Sequence, residues 1–140
     1  MAETTYGYTT RFDEKIAFED VLNMTTEALK EQGFGVITEI DVKATMKTKL
    51  DIDFRQNKIL GACNPKLAHK ALSSDLFIGL LLPCNVAVFE EDGGRVNVSL
   101  VKPEEMFKVV DKPGLEELAE EVGTKLRAVL DKLRSLGGSD

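Results

Sequence analysis

At 140 residues the chain has room for one hydrophobic core and none for a second. Its 43% apolar and 30% charged residues exclude general disorder, and with seven Phe, two Tyr and no Trp the core must be mostly aliphatic. A net charge of −6, from 24 acidic and 18 basic side chains, opposes a nucleic-acid duplex or an anionic membrane as partner.

The local pattern agrees with these exclusions. Lys43, Lys47 and Lys49 are scattered, with none of the aromatic–basic alternation that binds single strands, so no nucleic-acid partner is expected. Met1 to Arg11 has no basic leader followed by an apolar stretch, and the run Leu76 to Pro83 is far shorter than the ~20 residues of a membrane helix. Two cysteines are too few for a disulfide-built secreted fold. The expectation is a cytoplasmic protein with no membrane partner.

Tyr6, Tyr8 and Phe12 recur on one parity and predict a strand from Thr4 to Phe12. Phe18, Val21, Leu22, Thr25 and Leu29 then recur at three- and four-residue steps, predicting an amphipathic helix from about Asp13 to Gln32. Gly33 stops it by supplying a left-handed turn. Gly35 to Ile40 reads as a strand, after which Asp41 caps a brief helix with Val42, Met46 and Leu50 on one face.

Lys58 to Cys63 is a compact apolar strand. Asn64-Pro65 marks a helix start, because Asn is a favoured cap and Pro has no N–H to leave unpaired at the first helical position. Leu67, Ala68, Ala71 and Leu72 form the buried stripe of that helix, with His69 pointing away from it to the surface. Gly79 to Glu90 reads as a strand that Pro83 interrupts, at an edge, a bulge or the strand's start. Glu91 to Gly94 is a turn, and Val96, Val98 and Leu100 alternate with Asn97 and Ser99 in a hairpin with one wet face. Pro103 to Lys108 is another turn. Leu115, Leu118, Ala119, Val122, Leu126, Val129, Leu130 and Leu133 make the clearest helical stripe, and Gly137 to Asp140 should fray. The expected architecture is one α+β domain over 1–136, a largely antiparallel sheet with helices packed on one face, in the order β-α-β-β-α-β-β-α.

The motifs of common catalysts are missing. The sequence has no G-x-x-x-x-G-K-[ST] loop, G-x-G-x-x-G turn, G-x-S-x-G elbow or C-x-x-C pair, and one histidine cannot furnish a two-His metal site. No cofactor and no metal are expected. Two related blocks remain, Ala62-Cys63-Asn64-Pro65 and Pro83-Cys84-Asn85-Val86. A cysteine beside a helix N-terminus gains reactivity from the unpaired N–H groups and the dipole there. The same amides suit a carboxylate or phosphate. Free cysteine is also one of the most buried residue types, and Cys84 shares the parity of Leu82, Val86 and Val88, so core packing competes with a reactive role.

The run Lys58-Ile59-Leu60-Gly61-Ala62-Cys63-Asn64-Pro65, followed by Leu67-Ala68, Ala71-Leu72 and Ile78-Gly79-Leu80-Leu81-Leu82-Pro83-Cys84-Asn85-Val86, resembles the bacterial and archaeal family called domain of unknown function 302. Gln32 to Gly35 and Thr38 to Asp41 fit the same pattern, and the similarity runs from about Tyr8 to Pro103. The resemblance implies a curved, largely antiparallel sheet backed by helices, similar to TATA-binding-protein-like folds, and homodimers. It implies no reaction.

The primary reading is a homo-oligomer that binds a small anionic or polar ligand at Cys63, Asn64, Pro65, Cys84 and Asn85, with Leu80 to Leu82 as an apolar wall. The alternatives are a thiol-dependent redox or sulfur-transfer protein using Cys63 and Cys84, and a structural assembly subunit in which both blocks serve packing and capping. Whether the chain is an enzyme stays open on sequence grounds.

Overall fold

A computed structural model describes residues 4–140. Five strands form one wholly antiparallel sheet: β1 (Gly7–Phe12), β2 (Gly35–Asp41), β3 (Asn57–Cys63), β4 (Cys84–Glu90) and β5 (Val96–Val101), in the spatial order β1-β5-β4-β3-β2. Helices α1 (Phe18–Glu31), α2 (Val42–Leu50), α3 (Pro65–Ser74), α4 (Pro103–Met106) and α5 (Leu115–Ser135) join or follow them. The α+β class and the order β-α-β-β-α-β-β-α expected from the sequence are present, with the expected brief helix at α2 and the short α4 as an addition.

Period-two alternation sends Leu60, Ala62, Cys84, Val86, Val88, Val96, Val98 and Leu100 to one side of the sheet, where all are buried. Helix α1 covers that side with Phe18, Val21, Leu22, Ala28 and Leu29. Helix α5 adds its stripe from Leu115 to Leu133, as its sequence predicts, and α3 adds Leu67 and Ala71. Gly33 ends the α1 segment at φ +83°, the left-handed conformation that a side chain resists.

Four local expectations are corrected. Helix α1 begins at Phe18 instead of Asp13, because Asp13 closes a turn by accepting the Lys15 amide at 2.9 Å and the Ile16 amide at 3.0 Å. The segment before Pro83 is a 3-10 helix (Leu76–Leu81), capped by Asp75 through the Phe77 amide at 3.0 Å, and β4 starts directly after the proline. A short apolar run carries no period that separates the two possibilities. Asn97, assigned to a wet face, is buried between its cross-strand neighbours Arg11 and Phe89 and donates to Ser99 Oγ at 2.9 Å. The C-terminal tail is held where fraying is predicted: Ser139 exchanges backbone hydrogen bonds with Arg11 at 2.7 and 2.8 Å, and Arg134 pairs with Asp140.

Leu126 is fully buried on α5 and His69 is exposed on α3. Leu126→Ala is expected to cost about 2–5 kcal/mol of unfolding free energy through a core cavity. His69→Ala should stay within about 0.5 kcal/mol of the parent. Urea denaturation measures both, and equal losses would contradict this division of core and surface.

Candidate functional site

The two Cys-Asn blocks meet through strand register. Strand β3 pairs with β4 so that Ala62 lies opposite Cys84 and Gly61 opposite Asn85. On its other side β3 pairs with β2, where Val36 faces Ala62 and Thr38 faces Gly61. Ile37 is therefore an extra residue, a bulge that re-aims a side chain at the sheet edge.

Beside this junction lies a cavity of about 250 Å³ between the sheet and the helices. Its sheet wall is Ala62, Cys63 and Cys84, extended by Leu82 and Pro83. Its helix wall is Leu67, Ala68, Ala71 and Leu72 of α3 with Leu118 and Val122 of α5. Phe34, Ile37 and Phe107 complete the lining, and Asn64 is the one amide side chain in it. The lining is otherwise hydrocarbon and thiol.

Cys84 is 7% exposed, and its thiol pKa is pushed up to about 11, first by burial and then by the neighbouring Cys63. Loss of hydration disfavours the thiolate. The sequence argument for a reactive thiol rests on the helix terminus beside Cys63; Cys84 opens β4, and there burial sets the thiol's character. Cys63 is half-buried, and both thiols are free.

Asn64 caps α3, as predicted: its Oδ1 accepts the Leu67 amide at 3.3 Å. Its Nδ2 donates to the Gln32 carbonyl at 3.4 Å, so one side chain ties the start of α3 to the end of α1. Gly33 is favoured there by its positive φ, and a Cβ on it would also stand 3.0 Å from that Nδ2, crowding the Asn64 side chain. These bonds limit an anion site at α3. Pro65 has no N–H and Leu67 already donates to Asn64, so the other first-turn amide is that of Lys66.

The candidate residues thus divide. Cys63, Asn64 and Cys84 share the cavity. Pro65 lines a separate outer groove with Lys66, Lys70 and Lys125, which Asn64 also borders. Asn85 is exposed on the opposite side of the sheet, one residue out of phase with Cys84, and cannot orient a group inside the cavity. Of the expected apolar wall, Leu82 lines the cavity and Leu80 is 85% exposed. Sequence reasoning missed Phe34, Ile37, Phe107, Leu118 and Val122 as lining residues. Their apolar character was visible, but only the tertiary fold brings them together.

Among the described residues no group of three His, Cys, Asp or Glu side chains is placed to hold a metal ion. No helix among them is long and apolar enough to cross a membrane.

None of the curated proteins matches this chain. The chain is similar to an uncharacterized conserved DUF302 protein from Bacillus stearothermophilus whose crystal structure is known. The two share 29% identity with a TM-score of 0.82, over 92% of this chain and 98% of that one. The family described as "Domain of unknown function DUF302" matches residues 8–133. The chain belongs to this family.

Proposed function

We propose that this protein binds a small, predominantly apolar ligand in the cavity beneath α3, acts as a homo-oligomer, and works in the cytoplasm, where its two thiols stay reduced. The observation that carries the reading is the cavity itself, a preformed hydrocarbon-lined space at the junction of the two Cys-Asn blocks. Its chemistry turns the sequence-based expectation of an anionic or polar ligand toward an apolar one. A buried anion here would lose hydration without a cationic partner in the lining. The Asn64 amide is the polar feature at the wall. A thiol-dependent reaction is the weaker reading, since burial disfavours the thiolate of Cys84, one of the two thiols it would need.

Size defines the occupant. A dry cavity of about 150 Å³ holds a six-carbon ring, so the present one accommodates roughly ten carbons. Titration with n-alkanols tests this. The dissociation constant should fall about fourfold per added methylene, from about 0.8 kcal/mol of transfer free energy each. It should level off near ten carbons. Ala71→Leu, which fills the cavity from the α3 wall, should weaken n-octanol binding at least tenfold while the circular dichroism is unchanged. Binding that is not saturable, or that ignores both chain length and Ala71→Leu, would refute the proposal.

The thiols give a second measurement. Alkylation of Cys84 by iodoacetamide in the folded protein should be slow at pH 8 and accelerate as pH approaches about 11. Since the folded pKa lies above the unfolded one, near 8.5, this group's contribution to stability is complete below the unfolded value. It is lost as pH rises toward 11. Fast labelling of Cys84 at neutral pH would favour thiol chemistry instead.

A further inference from the structure

The surface grooves that border the cavity differ in charge. Through Phe107 the cavity backs onto a groove where Glu104, Asp111, Glu116 and Glu120 outnumber Lys108 and Lys112. Through Leu118 it backs onto one with Glu117 and Glu121 against Lys70. Through Asn64 and Leu67 it backs onto the outer groove of Pro65, where Lys66, Lys70 and Lys125 face a single carboxylate, Glu121. In a chain of net charge −6 this last groove is a local reversal of sign.

Its lysines are poorly neutralised. Lys70 reaches Glu121 only at 4.0 Å, and among the described residues Lys66 and Lys125 pair with no carboxylate. Lys66 and Lys70 stand four positions apart on α3, a like-charge spacing that destabilises a helix. Lys125 comes from α5, so two helices bring positive charge to one concave surface. An anion seated among them relieves the repulsion and keeps contact with water. Inside the cavity the same anion would be dehydrated and unpaired. The start of α3 adds little of its own, because Asn64 already takes the Leu67 amide, and the positive charge comes from the side chains.

Asn64 stands where the two surfaces join. It is half-buried, it is the one amide in the cavity wall, and it also borders the lysine groove. A hydrocarbon chain that leaves the cavity past Asn64 therefore emerges among the lysines.

We infer that the ligand is a single-chain amphiphile of the medium-chain carboxylate class: its hydrocarbon fills the cavity, and its anionic head lies in the groove of Lys66, Lys70 and Lys125. This rests on the apolar-ligand reading above and names the class of molecule. It also gives Pro65, and the anionic group expected from the sequence, a place outside the cavity.

Equilibrium dialysis of the full chain against decanoate, 1-decanol and decylammonium tests it. Decanoate should bind at least fivefold more tightly than 1-decanol, and decylammonium more weakly than either. Sodium chloride at about 1 M should remove the advantage of decanoate, because exposed charge pairs are screened. In the double variant Lys66→Gln and Lys125→Gln the dissociation constants of decanoate and 1-decanol should come within about twofold of each other. Binding of 1-decanol in the same sample reports that the variant is folded. Lys43→Gln with Lys49→Gln, on α2, removes the same charge elsewhere and should keep the parent ratio. Decanoate no tighter than 1-decanol, an advantage that survives Lys66→Gln and Lys125→Gln, or a preference for decylammonium would overturn the anionic head and leave the cavity reading standing. Failure of all three probes to bind would overturn that reading and this inference together.

Discussion

Strand β3 is paired on both edges, and Gly61 sits where the two pairings coincide, with Thr38 on one side and Asn85 on the other. A Cβ at this position would overlap Thr38 Oγ1 and approach Pro83 Cγ to 2.6 Å. Any side chain there would force the strands apart or displace the proline that leads into β4. The glycine therefore permits the register that sets Cys84 opposite Ala62. From that register follow the inward thiol, the outward Asn85 and the sheet wall of the cavity. A slip of one residue would exchange the faces, sending Asn85 inward and Cys84 to the surface.

Within that frame the cavity resolves a competition between two effects. The start of α3 supplies partial positive charge that favours an anion or a thiolate. Around it, aliphatic and aromatic side chains remove water and favour neutral species. Asn64 helps to decide the outcome, because its Oδ1 occupies the Leu67 amide and its Nδ2 donates to the end of the α1 segment. What is left is a space suited to hydrocarbon with a thiol on its wall. The residue types that suggested reactivity in the sequence serve here to close a helix end and to line an apolar surface.

The parts of the fold legible in the sequence are those set by local rules. Asn64-Pro65 opens α3, Gly33 ends the α1 segment, Asp41 caps α2, and the stripe of α5 is buried as its period requires. The parts that were not legible depend on distant partners. The bulge at Ile37 exists only relative to β3. The buried state of Asn97 depends on β1 and β4 on either side of it, and the ordered tail depends on Arg11, more than 120 residues earlier. The apolar character of the cavity was not legible for the same reason. The Cys-Asn blocks are polar as text, but Phe107, Leu118 and Val122 arrive from the far end of the chain and set the character of the space between them.

Near Phe107 a polar cluster joins the sheet to the two C-terminal helices. Arg127 donates to Tyr8 Oη at 2.8 Å and to Glu104 Oε2 at 2.9 Å, joining β1, α4 and α5 through one guanidinium. Glu104 rests directly over Gly123 of α5, where a Cβ would collide with its carboxylate. Burial, and the hydrogen bond with Glu104, push the Tyr8 hydroxyl up to about 12, so it stays neutral over the working pH range. Phe107 follows α4 directly, three positions after Glu104, so anchoring the carboxylate to α5 helps hold the aromatic ring at the cavity wall. The apolar site is thus shaped in part by a charged network that never touches it. Side chains chosen for the cavity alone would leave α4 free to shift, and the volume beneath α3 would have no fixed size.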